Sequence, residues 1–135
     1  MQRTALSLIA VLLTLGVSAA AFAADMRDNV KVEVQSIGLH PGMDPGMYVC
    51  ASDHLHIKGT VHNLAKVTLG KIKVAGKAFG ADDKLLGEAT FSPPQAILKP
   101  GEKAEINLEF LTITGPLIQK VKRHELIVVE APARK

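Results

Sequence analysis

From Asn29 onward the apolar residues of this chain recur at every second position, a period that specifies extended strands and not amphipathic helices. Val30, Val32 and Val34 alternate with Lys31, Glu33 and Gln35, which reads as a half-buried first strand. Tyr48 and Val49 lead back toward the sheet after a long irregular loop, Gly38 to Met47, that holds two Pro-Gly turns. Across Asp53 to His62, Leu55, Ile57, Gly59 and Val61 share one face, and His54, His56, Lys58, Thr60 and His62 share the other. Asn63 ends that strand, and Leu64 to Leu69 is a connection.

Between Gly70 and Phe79, Ile72, Val74, Gly76 and Ala78 point inward while Lys71, Lys73 and Lys77 point to water. The polar turn Gly80–Lys84 leads to a hairpin partner, Leu85 to Phe91, which Pro93-Pro94 ends. After the turn Leu98–Glu102 the alternation is cleanest. Ala104, Ile106, Leu108 and Phe110 face in, and Glu105, Asn107 and Glu109 face out. Gly115-Pro116 breaks the chain, and Leu117, Ile118 and Val121 suit a short helical turn or an edge segment. Leu126 to Val129 are apolar without alternation, which predicts a last strand covered on both faces, followed by a tail from Ala131. Six or seven short strands separated by turn signals predict a sandwich or a barrel.

The first 23 residues follow a different pattern. Gln2 and Arg3 precede an apolar run from Ala5 to Val17, and small residues follow it, ending in Ala21-Phe22-Ala23. This is the plan of a secretory signal peptide cleaved after Ala23. The apolar run falls short of the ~20 residues a spanning helix needs, and no positive cluster follows it. The expected organisation is therefore a signal peptide, 1–23, and a single domain, 24–135, exported to the periplasm with no transmembrane span.

Without the leader the chain has 15 basic and 13 acidic residues, a net charge of +2 (15 minus 13). That balance, with one Tyr and no Trp, gives little footing for nucleic acid. Cys50 is the only cysteine, so in an oxidising compartment it forms no internal disulfide. It is a buried small hydrophobe, a ligand, or a site of intermolecular pairing.

No nucleophile elbow, phosphate-cradling glycine loop or Cys-x-x-Cys is present, and a non-enzymatic chain is expected. One segment carries chemistry. His40, Met43, Met47, Cys50, His54, His56 and His62 crowd together, including four of the five histidines. Thiolate, thioether and imidazole suit copper, and imidazole with thiolate suits zinc. His54 and His56 stand two apart on one strand face, with Cβ atoms about 6.6 Å apart. They are the first candidate ligands, with His40, Met43, Met47 and Cys50 after them. Polar residues on an exposed strand face, and a loop methionine capping the core, are the ordinary alternative, and Lys58 on that face would repel a cation. Lys120, Lys122, Arg123 and His124 make a basic group whose ordinary role is a solvated face.

Leu55-x-Ile57-x-Gly59-x-Val61-x-Asn63, Lys71-Ile72-x-Val74, Phe79 beside an Asp turn, Leu85-Leu86-Gly87 and Leu98-x-Pro100-Gly101-Glu102 together resemble the FxLYD domain and its immunoglobulin-like relatives in bacterial cell-envelope proteins. At the naming motif the chain reads Gly76-Lys77-Ala78-Phe79-Gly80, and only Phe79 answers it. The resemblance implies an all-β, immunoglobulin-like antiparallel β-sandwich of six to seven strands, and a binding or adaptor role toward an envelope protein. It implies no catalytic residues and no cofactor. The alternative function is a periplasmic copper- or zinc-binding protein using the cluster between residues 40 and 62.

Overall fold

The computed structural model describes residues 24–35 and 43–134. The expected signal peptide and His40 lie outside the described residues. Seven strands are present among them: β1 (Val30–Val34), β2 (Met47–Val49), β3 (His54–Asn63), β4 (Lys73–Phe79), β5 (Leu85–Phe91), β6 (Lys103–Thr114) and β7 (Arg123–Glu130). All the pairings are antiparallel. The larger sheet is built on β3, which pairs with β6 along one edge and with β1 and β2 along the other. The smaller sheet has the order β5-β4-β7. The chain changes sheet after β3, β5 and β6, giving an immunoglobulin-like β-sandwich.

The alternation in the sequence builds this interior directly. Leu55, Ile57 and Val61 of β3, and Ala104, Ile106, Leu108 and Phe110 of β6, are buried against Val74 and Ala78 of β4. Each large side chain so buried contributes about 1.5–3 kcal/mol. Gly76 lets the layers approach: a Cβ there would lie 2.7 Å from Leu108 Cδ2 and 3.1 Å from Phe110 Cζ. The segment Gly115–Lys120 is a short 3-10 helix that buries Ile118 and is followed by buried Val121. Among the described residues, no helix is long and apolar enough to cross a membrane.

β1 and β2 act as two halves of one edge strand. Two steps along β3, from Gly59 to Ile57, correspond to thirteen along its neighbour, from Val34 to Met47. Gln35 N donates to Lys58 O, and Lys58 N donates to Gly46 O, so the chain leaves and re-enters the sheet at one residue.

Asn63 does more than end β3. It is fully buried, its Nδ2 donates to Val67 O and Leu98 O at 3.0 Å each, and its Oδ1 accepts from Ala65 N at 2.8 Å. The connection to β4 is thereby tied to the turn before β6.

Two expectations are corrected. β7 is an edge strand, not one covered on both faces: Leu126 and Val128 pack inward, while Ile127 between them is 55% exposed. The alternation runs through Val128 and breaks at Val129, which is also part-buried where the β4–β7 register shifts. The segment from Ala131 is not a loose tail, since Pro132 bridges Asp25 and Ala133 bridges Leu69.

Candidate metal centre

The outer face of the larger sheet gathers polar side chains from three strands. Register puts Tyr48 of β2 and Glu109 of β6 on either side of His56 of β3, so the three form one row across the sheet. Cys50 follows β2 and is held by the turn into β3, where its N–H donates to His54 O at 3.1 Å and its carbonyl accepts from Asp53 N at 2.9 Å. Asp53 takes a left-handed backbone, φ 61°, which Asp tolerates better than most residues. It also accepts from Gly115 N at 3.0 Å. Strand alternation then brings Cys50 onto the same face as Tyr48.

His56 is only 8% exposed, although it points away from the core. The Tyr48 ring stacks on it, with centroids 4.7 Å apart and planes at 26°. His56 Nδ1 lies 2.8 Å from Asn107 Oδ1 and 3.2 Å from Tyr48 Oη, and Asn107 Nδ2 donates to Tyr48 Oη at 2.6 Å. The other ring nitrogen, Nε2, is buried and has no hydrogen-bond partner among the described residues. It stands 3.9 Å from Glu109 Oε1. The same oxygen lies 3.1 Å from His54 Nδ1, so the Glu109 carboxylate reaches between the two imidazoles.

Cys50 Sγ, a His56 ring nitrogen and a Glu109 carboxylate oxygen all lie within 4.8 Å of one another. In a tetrahedral zinc site with bonds of 2.0–2.3 Å, ligand atoms sit roughly 3.3–3.7 Å apart. The three donor atoms here stand within 4.8 Å, somewhat wider than that spacing. A thiolate, an imidazole and a carboxylate can together hold a divalent transition metal.

The candidate ligands read from the sequence divide. The structure brings Cys50 and His56 together and sets His54 beside them on Glu109. Met47, 4% exposed, faces the core with its register partner Ile57, and Met43 packs against the same core. Both methionines line a cavity of about 550 Å³ with Ile118, Gln119 and Val121, not the histidine face. Lys58, expected to repel a cation, occupies the next row, opposite Asn107. His62 is six residues along β3 from His56, about 20 Å away.

Glu109, Asn107 and Tyr48 were not among the sequence candidates. The outward orientation of Asn107 and Glu109 on an alternating strand was the one signal, Tyr48 gave none, and nothing local paired them with His56. No family model matches the chain, and comparison with curated proteins and with solved structures finds no match either.

Proposed function

We propose that this chain is a secreted, non-enzymatic β-sandwich of the cell envelope that binds a transition-metal ion, copper or zinc, on the outer face of its larger sheet. One observation carries the reading: Cys50, His56 and Glu109 offer three ligand atoms within 4.8 Å, and His56 Nε2, 3.9 Å from Glu109 Oε1, is buried with no hydrogen-bond partner among the described residues. Burying a polar nitrogen without a partner is unfavourable, and an ion there would complete it. The leader-like sequence of 1–23 and the resemblance to FxLYD domains support the envelope setting.

The test is titration of the purified chain with Zn(II), Cu(II) and Cu(I) under competition with a chelator. One equivalent is expected to bind, and a Cys50→Ser/His56→Ala variant is expected to lose it while keeping its circular dichroism spectrum. Equal binding by that variant would sink the assignment.

A second reading, an adaptor for an envelope protein, is favoured by the outer edge of β7. Its backbone pairs only with β4 among the described residues, and Ile127 projects beside a groove lined by Val30 and Val32. Such an edge suits addition of a partner's strand. A photocrosslinking residue at position 127 is expected to capture one defined envelope protein. A smear of many products would count against the adaptor.

A further inference from the structure

The donors already in place also say which ion the face suits and how His56 is presented to it. We propose, resting on the metal-binding reading above, that the site is built for a zinc-class ion held by Cys50 Sγ, His56 Nε2 and the Glu109 carboxylate. Asn107 with Tyr48 is the positioning pair that holds His56 in the tautomer presenting Nε2.

An amide oxygen only accepts, so the ring nitrogen 2.8 Å from Asn107 Oδ1 carries the proton. With the proton on Nδ1, Nε2 is left with its lone pair, and this is the buried atom that lacks a partner among the described residues. The other end of the amide fixes its orientation, because Asn107 Nδ2 donates to Tyr48 Oη at 2.6 Å. The stacked Tyr48 ring limits the tilt of the imidazole. Groups of this kind, hydrogen-bonded to the far nitrogen of an imidazole, set the tautomer and direction of metal-binding histidines.

The carboxylate is supported in the same way, with His54 Nδ1 at 3.1 Å from Glu109 Oε1. His54 thus acts on Glu109 and is not itself one of the three proposed ligands. On coordination Cys50 gives up its thiol proton to solvent, and no electrons move.

The donor set separates zinc from cuprous copper. Copper(I) favours thioether with thiolate, and both methionines of the segment are turned to the core side. Sulfur, nitrogen and a hard carboxylate oxygen on one face match zinc.

The experiment uses the full chain, labelled with nitrogen-15 and stripped of metal. Long-range proton–nitrogen correlation of the His56 ring is expected to show Nδ1 protonated and Nε2 bare. The reverse tautomer, with the Asn107 amide turned over, would overturn the positioning role. Zn(II) competition titration and Co(II) spectra follow. Wild type is expected to bind zinc and to give a thiolate-to-cobalt band that Cys50→Ser abolishes. Asn107→Leu is expected to lose about 10–100-fold in zinc affinity. Asn107→Asp, whose carboxylate still accepts from Nδ1–H, should retain most of it, and Tyr48→Phe should fall between. If Asn107→Leu fails to fold, the Asp and Phe variants carry the comparison. Unchanged zinc affinity and tautomer across these variants would remove the positioning role and leave the metal-binding reading intact. Binding of Cu(I) without Zn(II) or Co(II) would remove the zinc assignment alone. No binding of any ion would remove both, whatever the tautomer.

Discussion

Asn63 shows how much one polar side chain can organise. Its amide makes three hydrogen bonds inside the sandwich, and its own backbone N–H and C=O pair with Glu102 O and Gly101 N. Replacement by Ala strands the Ala65 N–H and the Val67 carbonyl, so Asn63→Ala is expected to cost about 2–4 kcal/mol in urea denaturation. A cost within ~0.5 kcal/mol would mean that water replaces the amide. His124 ties stability to pH just below neutrality. Burial holds its imidazole below the ordinary histidine value, although Asp44 nearby pulls the other way. The folded value lies below the unfolded one, so the unfolded chain takes up the proton first as pH falls. The contribution is fully present above about pH 6.5 and declines below it. The thermal midpoint is expected to fall on acidification from pH 7 to 5, and His124→Gln should shrink that fall. An identical slope in the variant would assign the acid sensitivity elsewhere.

At the scale of elements, the outer edges of the two sheets behave differently. β1 approaches β3 closely because residue 59 has no side chain. A Cβ at Gly59 would run into the Glu33 carbonyl, whose backbone cannot yield cheaply. Gly59→Ala is therefore expected to loosen β1 selectively, seen as faster amide exchange at Val30–Val34 with β3–β6 pairing protected. Uniform exchange across both sheets would argue for a global defect instead. β7 pairs on one side only among the described residues. Arg123 at its start is engaged with Asp83 at 2.8 Å and Glu125 at 2.6 Å and lies over the Phe79 ring at 4.1 Å. Placing a charge at the exposed position, Ile127→Lys, is expected to change stability by less than about 0.5 kcal/mol. Any concentration-dependent association should also fall, because lysine on an edge discourages strand addition.

For the molecule as a whole, a ligand that binds only the folded chain must raise its stability. At a free zinc concentration 100 times Kd the gain is about 2.7 kcal/mol. For a domain of this size that corresponds to roughly 10 °C in Tm. The rise should vanish with a chelator and be absent in Cys50→Ser. An equal rise in that variant would show that zinc binds elsewhere. The interior itself depends on the aromatic of β6: Phe110 is fully buried beneath Gly76, and Phe110→Ala is expected to cost about 3–5 kcal/mol.

Most strands, and the inward residues of β3, β4 and the first part of β6, were legible in the sequence, because period-two alternation assigns each side chain to a face whatever the strand's partner; buried Met47, Leu69, Leu98 and Ile113, which lie beyond those runs, were not. Met47 and Cys50 fall on opposite faces once Met47–Val49 is seen as a strand, which separates the methionine from the histidines. Where the run was wholly apolar, at Leu126–Val129, the pattern was silent, and the strand's place at the sheet edge decided which residues are covered.

The sequence by itself therefore determined an all-β chain with a Val, Leu and Ile interior and a histidine-bearing outer face. It did not determine that Glu109 and Asn107 flank His56, the latter 51 residues away. Alternation is a local property of one strand, whereas register between β3 and β6 is settled by packing of the whole sandwich. Only that long-range pairing brings Cys50, His56 and Glu109 together on one polar face.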